Sequence, residues 1–318
     1  MKKYSLPVKI LISVMMLAVL ARSMNRETLG EIAMNIHASA WAMALGMMMI
    51  QIFALSVRWA DLVNLQERKI SYRASYRITV ASQLANILLI TSIGGVVGRI
   101  ALAAQSGIDM VRAVCATIAD RLMTVAALAL LAALVLPQFH AVHNNAAIAN
   151  TLPIFIAAFT GAGVIAVLLF RKILGNLKIS ARLDAGLSYL RNLAANKASL
   201  IRLVPLSLAA QICYFAAVYF VSRSANANIQ FPALLVALPV ITLIASLPIS
   251  IGGWGVREGA FVYGLGLLGV PMETAFLISV QIGLISILAT VVSGIPALLL
   301  CLLLMAILRR RPLEARLE

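Results

Sequence analysis

SIGGVVGR at residues 92–99 and SIGGWGVR at residues 250–257 open on the same four letters and end on an arginine at the same offset, Arg99 and Arg257. Both stretches lie within long apolar sequence. The 318 residues are 62% hydrophobic, with a mean hydropathy of +1.00, whereas soluble domains run nearer half apolar. Apolar runs fall at 6–21, 38–57, 78–93, 94–108, 113–136, 151–170, 203–222, 232–250, 254–270 and 274–307. Several reach the ~18–20 residues that cross a bilayer. In hydrocarbon only helices of this length satisfy their own backbone, so the expected class is all-α, polytopic and membrane-integral. The run at 6–21 follows Lys2 and Lys3 like a signal peptide. Arg22 and Arg26 follow it without a small-residue cleavage site, so it reads as a membrane helix.

The glycine pairs acquire a meaning once the loop charges are counted. Lys2, Lys3 and Lys9 mark the N-terminus, and Arg58, Arg68, Lys69, Arg73 and Arg77 outweigh Asp61 and Glu67 in the 58–77 loop. Seven cations face Asp184 in the 171–202 loop, and Arg309, Arg310, Arg311 and Arg316 close the chain. The segments 22–37, 137–150 and 223–231 are balanced or nearly uncharged. Positive-inside bias puts the first four segments, both termini included, in the cytoplasm and the other three outside. An odd number of crossings must then separate 77 from 137, and three apolar runs lie between them. With 113–136 as the crossing, 78–93 and 94–108 go in and come back with SIGG at the turn. The same parity makes 232–250 and 254–270 a second hairpin, entering from the other face before the crossing at 274–307. Approximate half-repeats follow at 70–136 and 225–308 within one transmembrane domain, 1–318. Gly107 before Ala113 matches Gly269 before Ala275 as a short cap ahead of a long helix, with four residues inserted in the second copy.

Opposed broken-helix elements of inverted topology are a pattern of alternating-access transporters. Glycine permits the reversal, and a helix N-terminus offers amides to an anion. The expected substrate-binding residues are therefore Ser92, Gly94, Gly95 and Arg99 in the first stretch, and Ser250, Gly252, Gly253, Gly255 and Arg257 in the second. A glycine pair alone also signals close helix packing; the in-phase arginine is what favours a site. Asp120–Arg121 and Arg257–Glu258 place ions inside apolar sequence, where charge is costly and usually functional. Asp120 and Glu258 are candidate proton carriers or charge partners. Arg121 either joins the anion site or snorkels to the interface. Asp120 calls for a partner such as Arg99 or Arg121.

Other chemistries find little footing. Cys115, Cys213 and Cys301 stand singly in apolar runs, making neither a disulfide framework nor a metal set. His37, His140 and His143 fall in segments read as external loops; His140 and His143 resemble half a metal site, but no Cys, Asp or Glu joins them. No Walker A, GxSxG, HExxH or paired-carboxylate motif is present, so no cofactor and no ATP-driven step is expected. The formal charge of +15 is spread over loops rather than interleaved with aromatics. It reads as lipid-headgroup and topology charge, not a nucleic-acid surface. In the 171–202 loop, Ile173, Leu174, Leu177, Ile179, Leu183, Leu187, Leu190 and Leu193 recur every three to four residues or so. That spacing suggests an amphipathic helix on the anionic leaflet, or an ordinary basic loop.

The stretch LPISIGGWGVREGAFVYGLGLLGVPMETAF resembles the lysylphosphatidylglycerol synthase transmembrane-region, or flippase-like domain, family. Pro248, Ser250, Gly252, Gly253, Gly255, Arg257 and Glu258 stand at its motif positions, and Asp120 and Arg121 at its acidic-arginine pair. Ile93 stands where many members carry proline. The resemblance implies a membrane domain handling anionic or lipid-linked headgroups. In fused members a soluble aminoacyltransferase domain makes the lipid; no such domain is expected here, so lipid synthesis is not implied. The expectation is translocation of an anionic phospholipid or polyprenyl-phosphate-linked lipid across the cytoplasmic membrane without ATP, and not enzymatic catalysis. Membrane lipids are the expected partners, with a separate lipid-modifying enzyme as a further one. A transferase acting on a lipid-linked sugar, or a non-catalytic partner of such an enzyme, are the alternatives.

Overall fold

The computed structural model describes residues 37–65, 69–88, 94–142, 180–246 and 254–309, with Glu67 and scattered positions between 15 and 30. Most of the 6–21 run and all of 151–170 lie outside the described residues, as do Ser92, Ser250, Gly252 and Gly253. Among the described residues the chain is all α. Its helices are α1 (Ala38–Val63), α2 (Tyr72–Leu88), α3 (Gly94–Gln105), α4 (Met110–Val142), α5 (Ser180–Ala195), α6 (Lys197–Ser224), α7 (Phe231–Ala245), α8 (Val256–Gly266) and α9 (Met272–Arg309). Ala38–Val63, Met110–Val135, Lys197–Ser224 and Met272–Ile295 are each long and apolar enough to cross a membrane. The protein is a multi-pass membrane protein.

Helix α9 illustrates how such a helix divides its surface. Ile278, Ile282, Ile285 and Ala289 are buried, while Leu284, Leu288, Val291 and Ile295 are exposed at the same three-to-four spacing. One stripe packs inward and the other is an apolar face suited to acyl chains. Helices α1 and α6 form the most extensive pair and lie antiparallel. At one end the His37 amide donates to Ser224 Oγ at 2.8 Å, and Tyr219 meets the Phe231 ring edge-on. At the other end Tyr189 donates its hydroxyl to the Leu62 carbonyl at 2.6 Å, and Arg112 reaches the Glu67 carbonyl. The basic segments 58–77 and 171–202 thus share one end, and residue 37 shares the opposite end with 223–231. Burial raises the Tyr189 phenol above its ordinary value, which keeps it a neutral donor.

The short helices pair as neighbours in sequence, α2 on α3 and α7 on α8. Both pairs leave through the same turn. Gly107 and Gly269 take φ of +82° and +80°. Ile108 N donates to Ala103 O and Val270 N to Leu265 O, each at 3.1 Å. Gly107 N donates to Ala104 O and Gly269 N to Gly266 O, at 3.0 and 2.9 Å. These are two Schellman caps, each placing a buried Ile108 or Val270 just beyond the glycine.

Several expected boundaries move. Helix α4 runs on through Pro137 to Val142, so the backbone of His140 is helical rather than part of an external loop. The 254–270 run holds an eleven-residue helix, α8. The basic 171–202 segment contains α5, whose Tyr189 and Leu193 are buried because α5 packs on α4 and α6.

Candidate functional site

Arg257 and Glu258 open α8. Gly255 precedes them at φ +87°, a conformation that side chains rarely adopt. Its amide donates to Glu258 Oε2 at 2.6 Å. The other carboxylate oxygen accepts from Arg257 Nε at 3.0 Å and Nη2 at 2.6 Å, and from Ser279 Oγ on α9 at 3.4 Å. Glu258 has 0% exposure, while the Arg257 side chain keeps 16%. The carboxylate is therefore enclosed and satisfied, and the arginine side chain is the partner that keeps some exposure. Trp254 lies under it, with the guanidinium carbon 4.5 Å from the ring centre. On the α9 side it rests on Gly283: a Cβ there would stand 2.6 Å from Arg257 Cζ.

The first stretch is built differently. Gly95, in the first turn of α3, lies so close to α2 that a Cβ would stand 3.0 Å from Ser82 O and 3.1 Å from Asn86 Cβ. Its amide donates to Asn86 Oδ1 at 3.3 Å. Gly94 is buried beside it. Arg99 lies one turn further along, also buried, and donates Nη1 to Asp120 Oδ2 at 3.2 Å. It stands over Trp59, 5.6 Å from the ring centre.

Asp120 has a second and closer partner, Arg58 of α1. Arg58 Nε donates to Asp120 Oδ1 at 2.8 Å. Its Nη2 lies 2.7 Å from the same oxygen and donates to Thr124 Oγ1 at 2.8 Å, while Nη1 donates to Ser207 Oγ of α6 at 3.1 Å. Arg58 is 1% exposed. Arg121 is exposed and, among the described residues, makes no hydrogen bond or ion pair with this cluster. In the sequence Arg58 ends an apolar run beside other cations, so it reads as topology charge. Its distance from Asp120 along the chain leaves no local signal of the pairing. Gly283 is likewise one helical glycine among several.

Helix α2, which leads toward the first stretch, and the Arg257 pair both pack along α9. Thr290 donates to Gln83 Oε1 at 3.2 Å, and Tyr76 reaches the Ser293 carbonyl at 3.5 Å, so α2 and α9 are antiparallel. Gly294 admits Leu84 and Val80, whose carbons would stand 3.3 and 3.4 Å from a Cβ there. From Gln83 to Leu88 is ~7.5 Å of rise, and from Thr290 back to Gly283 ~10.5 Å in the same direction. The end of α2 leading to the first SIGG and the Arg257 guanidinium therefore lie at about the same level. Arg99 and Arg257 occupy separate clusters, each with its own carboxylate and its own tryptophan.

The chain belongs to the lysylphosphatidylglycerol synthase TM region family, whose model matches residues 7–294. No curated protein and no solved structure matches it. The family carries a membrane, lipid-related function.

Proposed function

We propose that this chain moves a lipid with an anionic headgroup between the leaflets of the cytoplasmic membrane, and that Arg257 is the group that meets the headgroup. One observation carries the reading: a guanidinium within apolar sequence lies between Gly283 and Trp254 and is neutralised by a fully buried Glu258, on a side chain that keeps 16% exposure. The pair encloses the carboxylate and leaves the arginine side chain partly exposed, which suits a phosphate approached by a planar fork of donors. Acyl chains would stay in the bilayer along the exposed stripe of α9.

The amides of Gly95 and Gly255 already have protein acceptors, so this reading gives the phosphate to arginine side chains and uses those glycines for close approach and turning. Glu258 and Asp120 act as counter-ions, since each carboxylate is held by arginine; neither is assigned proton transport. The basic end faces the cytoplasm by positive-inside bias, and the α2–α3 and α7–α8 pairs enter from opposite faces. The family's lipid-related role supports the substrate class. Transport is downhill, with no ATP site in the motif set. The test is a leaflet-exchange assay with labelled phosphatidylglycerol in vesicles reconstituted with purified protein. Arg257→Gln should slow exchange at least tenfold while the protein stays folded. An unchanged rate in that variant would remove Arg257 from the site.

A further inference from the structure

The Arg58–Asp120–Arg99 cluster holds two guanidinium groups against one carboxylate. All three residues are at most 7% exposed. A buried unit of surplus charge is expensive unless something answers it. Beside it stands a second unanswered group: Trp59, at 0% exposure, whose indole N–H has no acceptor among the described residues. A buried donor left unpaired costs about 1–3 kcal/mol. The orphan donor belongs to the ring beneath Arg99, whose guanidinium carbon lies 5.6 Å from the ring centre. Arg58 spends its donors on Asp120, Thr124 and Ser207. Arg99 spends one on Asp120 among the described residues. Its side chain is 9% exposed against 1% for Arg58, so access comes from the Arg99 side.

We propose that Arg99 and Trp59, backed by Arg58, form a second anion station that takes a phosphate group, with Asp120 as its built-in counter-ion. Asp120 partly neutralises the station when empty and yields Arg99 when phosphate arrives. The station lies nearer the basic end than Arg257 does. Arg58 stands five residues from the end of α1, about 7.5 Å, whereas Gly283 stands eleven residues, ~16 Å, from the opposite end of its span at Met272. A headgroup passing through the protein would meet the two stations in succession. That sequence rests on the translocation reading; the station itself does not, because a lipid headgroup and free phosphate offer it the same chemistry.

The experiment is calorimetric titration of the full chain in detergent with inorganic phosphate and, separately, with dihexanoyl phosphatidylglycerol. Saturable binding of the lipid, alone or with phosphate, is expected. Binding of phosphate alone would keep the station and reject its headgroup role, and binding of neither would overturn it. Trp59→Phe keeps the ring and removes the N–H, and should weaken binding about tenfold, the scale of one hydrogen bond to a charged group. Unchanged affinity in that variant overturns the assignment. Asp120→Asn removes the competing anion and should tighten binding, an effect that a purely structural carboxylate would not produce. Weaker or equal binding by a folded Asp120→Asn protein overturns the counter-ion role. No protein-dependent lipid exchange in the wild type, with the Trp59→Phe loss of binding intact, would sink translocation and leave this station standing.

Discussion

Gly283 has no side chain because a guanidinium lies where its Cβ would be. Gly283→Ala forces Arg257 off that surface and off the Glu258 bond geometry. Overpacking of this kind costs about 1–3 kcal/mol; exchange of labelled anionic lipid should fall by an order of magnitude or so while the protein still purifies as a monodisperse species. Wild-type exchange in Gly283→Ala would mean that the seat of Arg257 is immaterial. Arg58 and Arg121 offer the contrasting pair. Arg58→Ala strands a buried Asp120 and should cost about 3–5 kcal/mol, read as a large drop in thermal midpoint in detergent. Arg121→Ala removes an exposed cation and should stay within about 0.5 kcal/mol. Two similar midpoints would contradict the partner assignment. The sequence exposed Asp120, Glu258, Arg99 and Arg257 because ions are conspicuous in apolar runs. It hid Arg58, Trp59 and Gly283, since a cation at a run's end, a tryptophan in a membrane helix and a helical glycine all have commonplace explanations. Only tertiary proximity singles them out.

The exit turns of the two short-helix pairs are the clearest repetition at the level of elements. Each has a glycine at φ near +80°, each makes the same two backbone bonds, and each leads into a long helix. Forcing an L side chain into that region costs roughly 1–2 kcal/mol. A Cβ on Gly107 or Gly269 would touch nothing within 4 Å, so the penalty is purely conformational. Gly107→Ala and Gly269→Ala should therefore lower stability by similar amounts, measurable as matching shifts in thermal midpoint. A shift in one and none in the other would show that the turns are not equivalent. These turns were legible because a glycine before an alanine-led helix recurs with four residues inserted. Helix ends were less so: hydropathy stops at the last apolar residue, whereas α4 continues through Pro137 on backbone bonds that need no apolar side chain. The basic 171–202 segment had a helical period in its apolar residues, but nothing local says that Tyr189 turns inward to the Leu62 carbonyl.

For the whole molecule, the charge count grouped the segments and the contacts respect that grouping. The segments 58–77 and 171–202 meet at one end, and residue 37 meets 223–231 at the other. In intact spheroplasts, impermeant maleimide should label cysteines placed at His37 and Asn226 in a background lacking native cysteine. Cysteines at Tyr72 and Ser199 should react only after the membrane is opened. All four labelling from outside would reverse the orientation and with it the direction from which each helix pair enters. Membership of the family and the four membrane-length helices stand apart from that outcome; the translocation reading does not. Its most direct test is headgroup selectivity in reconstituted vesicles, comparing exchange of labelled phosphatidylglycerol with labelled phosphatidylcholine for the wild type and Arg257→Gln. The account predicts faster exchange of the anionic lipid in the wild type and loss of that preference in the variant. Equal rates for both lipids in the wild type, or a preference that survives without the guanidinium, would contradict it.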